Sequence, residues 1–88
     1  MRELLLDAEQ IHTRQHLHDA FAGLLGLGES YGRNLDALYD ELTVCPRTRL
    51  TLRHAESFIA NLGNYGELVL RVLADAAVEN PDFVLEIA

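Results

Sequence analysis

The spacing of apolar residues changes repeatedly along this chain, and each change marks an element. Leu4, Leu5 and Leu6 form an unbroken apolar run ended by Asp7, which predicts a short strand buried on both faces. From about Thr13 the period lengthens: Leu17, Ala20, Phe21, Leu24 and Leu25 recur at i, i+3, i+4, i+7 and i+8, the stripe of an amphipathic helix that Gly26 and Gly28 close. Asn34 is a good N-cap for a second helix, whose core stripe is Leu35, Leu38 and Leu42 and whose end is set by Pro46. Leu50 to Arg53 alternates like a short strand. Phe58, Ile59 and Leu62 then stand at helical spacing before Gly63-Asn64-Tyr65-Gly66 breaks the chain. A longer helix follows from about Glu67 to Val78, burying Leu68, Val69, Val72, Leu73 and Ala76. Asn80-Pro81-Asp82 ends it, and Phe83 to Ile87 has the β-branched and aromatic character of a last strand. Strand, two helices, strand, two helices, strand is the order of a small α/β domain, its strands joined by helical crossovers and therefore parallel.

Composition narrows the function. With 88 residues, 49% of them hydrophobic, the chain fills one core and reads as a single domain over residues 1–88. Fourteen acidic against seven basic residues give a formal charge of -7, which repels nucleic acid and anionic membrane surfaces and attracts basic partners. Cys45 is the only cysteine, so neither an intrachain disulfide nor a cysteine zinc cluster can form. The three leucines behind Met1-Arg2-Glu3 are too short a run for a signal peptide, and no apolar run approaches the 18 or so residues of a membrane span. The expected setting is the cytoplasm.

The second helix carries an anomaly. Asp36 and Asp40 are four residues apart and share a helix face, Glu41 adds a third acid, and no Lys or Arg lies between Asn34 and Pro46. Like charges at this spacing cost roughly 0.2–0.5 kcal/mol per pair. With the leucine stripe packed inward the aspartates point outward, so the segment reads as a negative surface prepared for a positive one.

Candidate chemistry elsewhere is thin. His12 and His16 at i, i+4 have the spacing of a metal-gripping pair. With His18 they are expected to be solvent-exposed histidines near a helix start, without the companion glutamate or cysteines of a zinc site. His54, beside Arg53 and Glu56, suits a capping or surface role. Asp36 and Asp40 could hold Mg²⁺ in a phosphohydrolase, but the chain has no Gly-rich phosphate loop and no third convergent ligand, and a convex helix offers little concavity. The expectation is a non-enzyme with no catalytic residues, no cofactor and no metal.

The run Tyr31-Gly32-Arg33-Asn34-Leu35-Asp36-Ala37-Leu38-Tyr39-Asp40-Glu41-Leu42-Thr43 resembles the signature of the barstar family, intracellular protein inhibitors of barnase-type ribonucleases, whose pattern is Y-G-x-N-L-D-A-L-W-D-x-L-T. Glu9-Gln10-Ile11, Leu17-His18, the strand around Leu50, the fourth helix and the Asp82-led last strand fall at similar spacing. The resemblance implies a three-stranded parallel sheet with four helices, and a second helix that, with its preceding loop, plugs the cleft of a basic secreted ribonuclease. It further implies that Asp40 occupies the place of an RNA phosphate, that Asp36 meets neighbouring basic and backbone groups, and that Tyr31, Gly32, Asn34, Leu35, Tyr39 and Thr43 lie in or beside the contact surface. Asp75 falls near the family's acidic contact on the fourth helix. The implied species are a free monomer and a 1:1 heterodimer with the nuclease.

The chain departs from the pattern at four places: Tyr39 stands for a tryptophan, Ser30 for a tyrosine, and Val44-Cys45 for glycine and tryptophan. Aromatics commonly anchor interfaces, so the implied partner need not be barnase itself. A related domain serving as immunity to another toxin nuclease, or binding a different basic protein, is the second reading.

Overall fold

The computed structural model describes residues 1–88. Strand β1 covers Arg2–Asp7 and runs into a 3-10 turn over Ala8–Gln10. Helix α1 spans Arg14–Leu25 and α2 Leu35–Val44. Strand β2 covers Thr48–Arg53, α3 Glu56–Leu62, α4 Asn64–Glu79 and β3 Phe83–Ile87. The strands form one parallel sheet in the order β1-β2-β3, with Leu4 opposite Leu50, Leu6 opposite Leu52, and Leu50 opposite Leu85. The protein is thus an α/β fold of three parallel strands and four helices, as expected.

Local chemistry accounts for the element ends. The Thr13 hydroxyl accepts from the His16 amide at 3.0 Å and starts α1; Gly26, at φ 67°, ends it by donating to the Ala22 carbonyl. The Asn34 side chain accepts from the Ala37 amide at 2.7 Å and starts α2.

One face of the sheet carries the core. Leu6, Leu50, Leu52 and Phe83 are buried there against Leu17 and Phe21 of α1, Leu38 and Leu42 of α2, Phe58 of α3, and Val69, Leu73 and Ala76 of α4. The other face is open, carrying Glu3, Leu5, Arg49, Val84 and Glu86, all exposed. This corrects the expectation for β1. Leu5 is 57% exposed, because a strand covered on one side only sends alternate residues to solvent whatever their hydrophobicity.

The α3–α4 junction is a second correction. Only Gly63, at φ 62° and ψ -135°, separates the helices, while Asn64, Tyr65 and Gly66 belong to the first turn of α4. Gly66 is there for closeness, not for a turn: a Cβ at this position would collide with the Phe58 carbonyl of α3.

Every buried side-chain nitrogen and oxygen has a hydrogen-bond partner. Thr48, fully buried, accepts from the Arg2 guanidinium at 3.0 Å and donates to the Pro46 carbonyl at 2.6 Å. Asn80 donates to the Leu42 carbonyl at 2.9 Å and accepts from the Asp82 amide at 3.0 Å, tying the end of α2 to the turn that leads into β3.

Candidate functional site

Helix α2 and the loop before it hold most of the sequence-predicted site residues. Leu38 and Leu42 are fully buried and fix the rotation of the helix. Burying a leucine stabilises by about 1.5–3 kcal/mol, which outweighs the roughly 0.2–0.5 kcal/mol repulsion of one acidic i, i+4 pair. The helix therefore forms despite its charges and presents Asp36 and Asp40 to solvent. Neither aspartate has an ion-pair partner, since the protein's two ion pairs are Arg33 with Asp19 and His54 with Asp7. Tyr39 and Thr43 are half-buried along the helix, and the Thr43 hydroxyl donates to the Asp40 carbonyl at 3.0 Å. Leu35 is half-buried in the first turn. Asp75 lies exposed on α4, the helix packed against α2.

The loop is rigidly built. Gly32 is exposed, yet a Cβ there would sit 3.1 Å from the Ala37 Cβ, so the chain passes close over the first turn of α2. Arg33 adopts a left-handed backbone at φ 53°, a conformation of order 1–3 kcal/mol above the common regions for a non-glycine residue, and its guanidinium pairs with Asp19 of α1. Asn34 serves as the cap.

Tyr31 is buried, with 8% of its surface exposed, and its role is internal. Its hydroxyl lies 2.7 Å from Nδ1 of His18, whose Nε2 lies 2.7 Å from the Tyr65 hydroxyl of α4. The expectation of three solvent-exposed histidines is thereby corrected: His12 and His16 are exposed, but His18 is buried, sitting on the core side of α1 next to Leu17. The missed signal was its position in the apolar stripe, three residues before Phe21 and one after Leu17.

The imidazole bridges the two tyrosines best when neutral, with one nitrogen donating to a hydroxyl oxygen and the other accepting an O–H. Burial, and secondarily the Arg33 charge, hold the His18 pKa below its ordinary value. Burial likewise pushes the Tyr31 phenol up to about 12 and the Tyr65 phenol above its usual range. The trio joins α1, the α2 loop and α4, and fixes the approach to Asn34.

Beside this trio the surface is concave. A cavity of about 520 Å³ opens between α1, the α2 loop and the start of α4, with Arg14, Arg33, Leu35, Asp36 and Tyr65 in its wall. This corrects the expectation that a domain of this kind offers little concavity, because neighbouring elements supply the walls that α2 lacks.

The remaining candidates are dispersed. His54, at φ 55°, bonds Asp7 at 2.9 Å through Nδ1. That bond raises the His54 pKa and lowers that of Asp7, and it joins β1 to the segment after β2. Cys45 is half-buried, its thiol donating to the Leu42 carbonyl at 3.3 Å. No three histidine, cysteine or acidic side chains converge to hold a metal ion. No helix is long and apolar enough to cross a membrane. Among the positions that depart from the signature, Ser30 and Val44 are exposed, Val44 at 77%.

The comparisons with known proteins bear on this arrangement. The family model described as "Barstar (barnase inhibitor)" matches residues 1–87. The chain is also similar to a Bacillus subtilis (strain 168) protein with the printed name "Putative ribonuclease inhibitor YrdF", at 37% identity over 84 residues that cover 93% of this chain and 92% of that protein. A match over nearly the whole length, on a fold of three parallel strands and four helices, shows that this chain belongs to the barstar (barnase inhibitor) family.

Proposed function

We propose that this protein inhibits a small, basic, secreted ribonuclease of the guanyl-specific, barnase-like type by seating α2 and the loop from Tyr31 to Asn34 in its active-site cleft. The observation that carries the reading is the unpaired state of Asp36 and Asp40 on a helix whose rotation the core has already fixed. An enzyme that cleaves RNA must hold phosphate with cations, so its empty cleft is an electropositive hollow, and fixed carboxylates can occupy the phosphate positions while the helix excludes substrate. Inhibition of this kind needs no catalytic residue, metal or cofactor on the inhibitor. It needs pre-organisation, and the Asn34 cap and the Tyr31–His18–Tyr65 trio supply it.

In this reading Asp40 meets the phosphate-binding cations, Asp36 the adjoining basic groups, and Gly32, Asn34, Leu35, Tyr39, Thr43 and Asp75 form or flank the contact. Tyr31 contributes by holding the loop from beneath. The complex is a 1:1 heterodimer formed in the cytoplasm by a free monomer, where it guards a cell against its own nuclease before export. The name of the Bacillus subtilis relative, "Putative ribonuclease inhibitor YrdF", is consistent with the role.

RNA cleavage by barnase, titrated with this protein, tests the proposal. Stoichiometric inhibition is expected, with Asp40→Ala weakening binding by about 2 kcal/mol or more, roughly thirtyfold, and His16→Ala leaving it unchanged. Undiminished cleavage at excess inhibitor, by barnase and by other small guanyl-specific ribonucleases alike, would reject it. The alternative, immunity to another toxin nuclease or capture of another basic protein, draws on exposed Ser30 and half-buried Cys45, which stand where the family signature has a tyrosine and a tryptophan.

A further inference from the structure

The cavity beside Asp36 brings two guanidinium groups next to that carboxylate on an otherwise acidic protein. Two of the seven basic residues of a chain with formal charge -7 stand in its wall, Arg14 from the first turn of α1 and Arg33 from the α2 loop. Arg14 has no carboxylate partner; its guanidinium carbon lies 4.2 Å from the centroid of the Tyr65 ring. Tyr65 is itself held by His18, so the guanidinium rests on a fixed plane with its N–H edges free, and little rotamer freedom remains to be lost on binding. Arg33 is tied to Asp19 in a half-exposed pair, a contact worth about 0–1 kcal/mol and readily exchanged for a better acceptor.

A site serving only to attract cations gains nothing from two guanidinium groups next to Asp36, because like charges facing a basic partner repel. They become favourable when the partner brings an anion to that point. We propose that the cavity receives a carboxylate side chain of the partner nuclease, carried on a loop beside the cation that Asp36 meets. The inhibitor then reads a plus-minus pair on the rim of the cleft and rejects nucleases that are merely basic. The inference rests on the inhibitor reading above and adds the acidic group that the partner must carry.

The test compares two charge reversals in this protein against barnase by surface plasmon resonance. Arg14→Glu and Arg49→Glu change the net charge equally, but Arg49 lies on the open face of the sheet. Glutamate is well tolerated at the start of α1, where the helix dipole favours it. Thermal melts confirm folding of each variant, and Arg14→Gln serves if Arg14→Glu does not fold. The expected result is a Kd for Arg14→Glu at least about tenfold weaker than for Arg49→Glu, with Arg14→Lys recovering most of the loss. If Arg14→Glu binds as tightly as Arg49→Glu or tighter, as added negative charge alone would produce, the carboxylate subsite is wrong while the inhibitor reading stands. If the wild-type protein binds neither barnase nor any other small guanyl-specific ribonuclease, both fall. Retention of an RNA oligonucleotide by the wild type, abolished in Arg14→Glu, would overturn the inference by making the anion a phosphate.

Discussion

His18 shows how much one side chain organises here. A buried imidazole between two phenols is satisfied while neutral; protonation turns both nitrogens into donors and strips one tyrosine O–H of its acceptor. With its folded pKa below the ordinary 6.5, His18 contributes stability that is present above pH 6.5 and is lost as pH falls through the folded value. The Asp7–His54 pair has a different dependence. The raised His54 pKa contributes stability that is full below pH 6.5 and is lost as pH rises through its folded value. The lowered Asp7 pKa contributes stability that is present above 3.8 and is lost as pH falls through its own. The His18 share can be isolated with His18→Gln, which keeps donor and acceptor and removes the titration. We expect the fall in Tm between pH 7 and pH 5 to be smaller in His18→Gln than in the wild type. Parallel curves would show that the trio does not sense protonation.

At the scale of elements, the proposed function sets stability against binding in α2. Its leucines secure it to the core and Asn34 caps it, so the outward face is free to carry a charge pattern that the isolated helix would disfavour. Asp40→Asn removes one partner of the acidic pair and should raise the stability of the free protein by about 0.2–0.5 kcal/mol while weakening nuclease binding, opposite signs that chemical denaturation and calorimetry read separately. A loss in both would mean that Asp40 supports the fold. The α3–α4 junction makes a stricter demand. Gly66→Ala must push the α3 backbone away from α4, at a cost of roughly 2–3 kcal/mol, which for a domain of this size lowers Tm by about 10 °C or more. An unchanged melt would show that the two helices can part without penalty.

For the molecule as a whole, the excess of acid acts at a distance. In the proposed complex, a formal charge of -7 facing a basic nuclease steers encounter, and the steering fades as the Debye length shrinks from about 10 Å at 0.1 M salt to about 3 Å at 1 M. The association rate should fall about tenfold or more between 0.05 and 0.5 M NaCl, with a smaller change in dissociation, as stopped-flow mixing would record. A salt-independent association rate would leave shape as the main determinant of encounter. The Arg14–Arg33 corner is a local exception within this field, and under the carboxylate proposal its influence belongs to the docked complex and not to the approach.

Much of this protein could be read from the chain alone, for a physical reason: elements are encoded by local periodicity and capping. The 3.6-residue stripes of α1 and α2, the Asn34 cap, the Gly26 stop and the last strand need only neighbours in sequence to be predicted, and the outward direction of Asp36 and Asp40 follows from the leucines beside them. What the chain could not disclose depends on contacts between different elements. The open face that exposes Leu5 is set by where the helices pack. Gly66 reads as a turn until Phe58 is seen against it. His18 reads as a surface histidine until Tyr31 and Tyr65 close around it, and the cavity exists only because α1, the α2 loop and α4 meet. Sequence determined the elements and their charge; tertiary structure decided which polar groups are buried and paired, because burial and pairing are properties of contacts between elements.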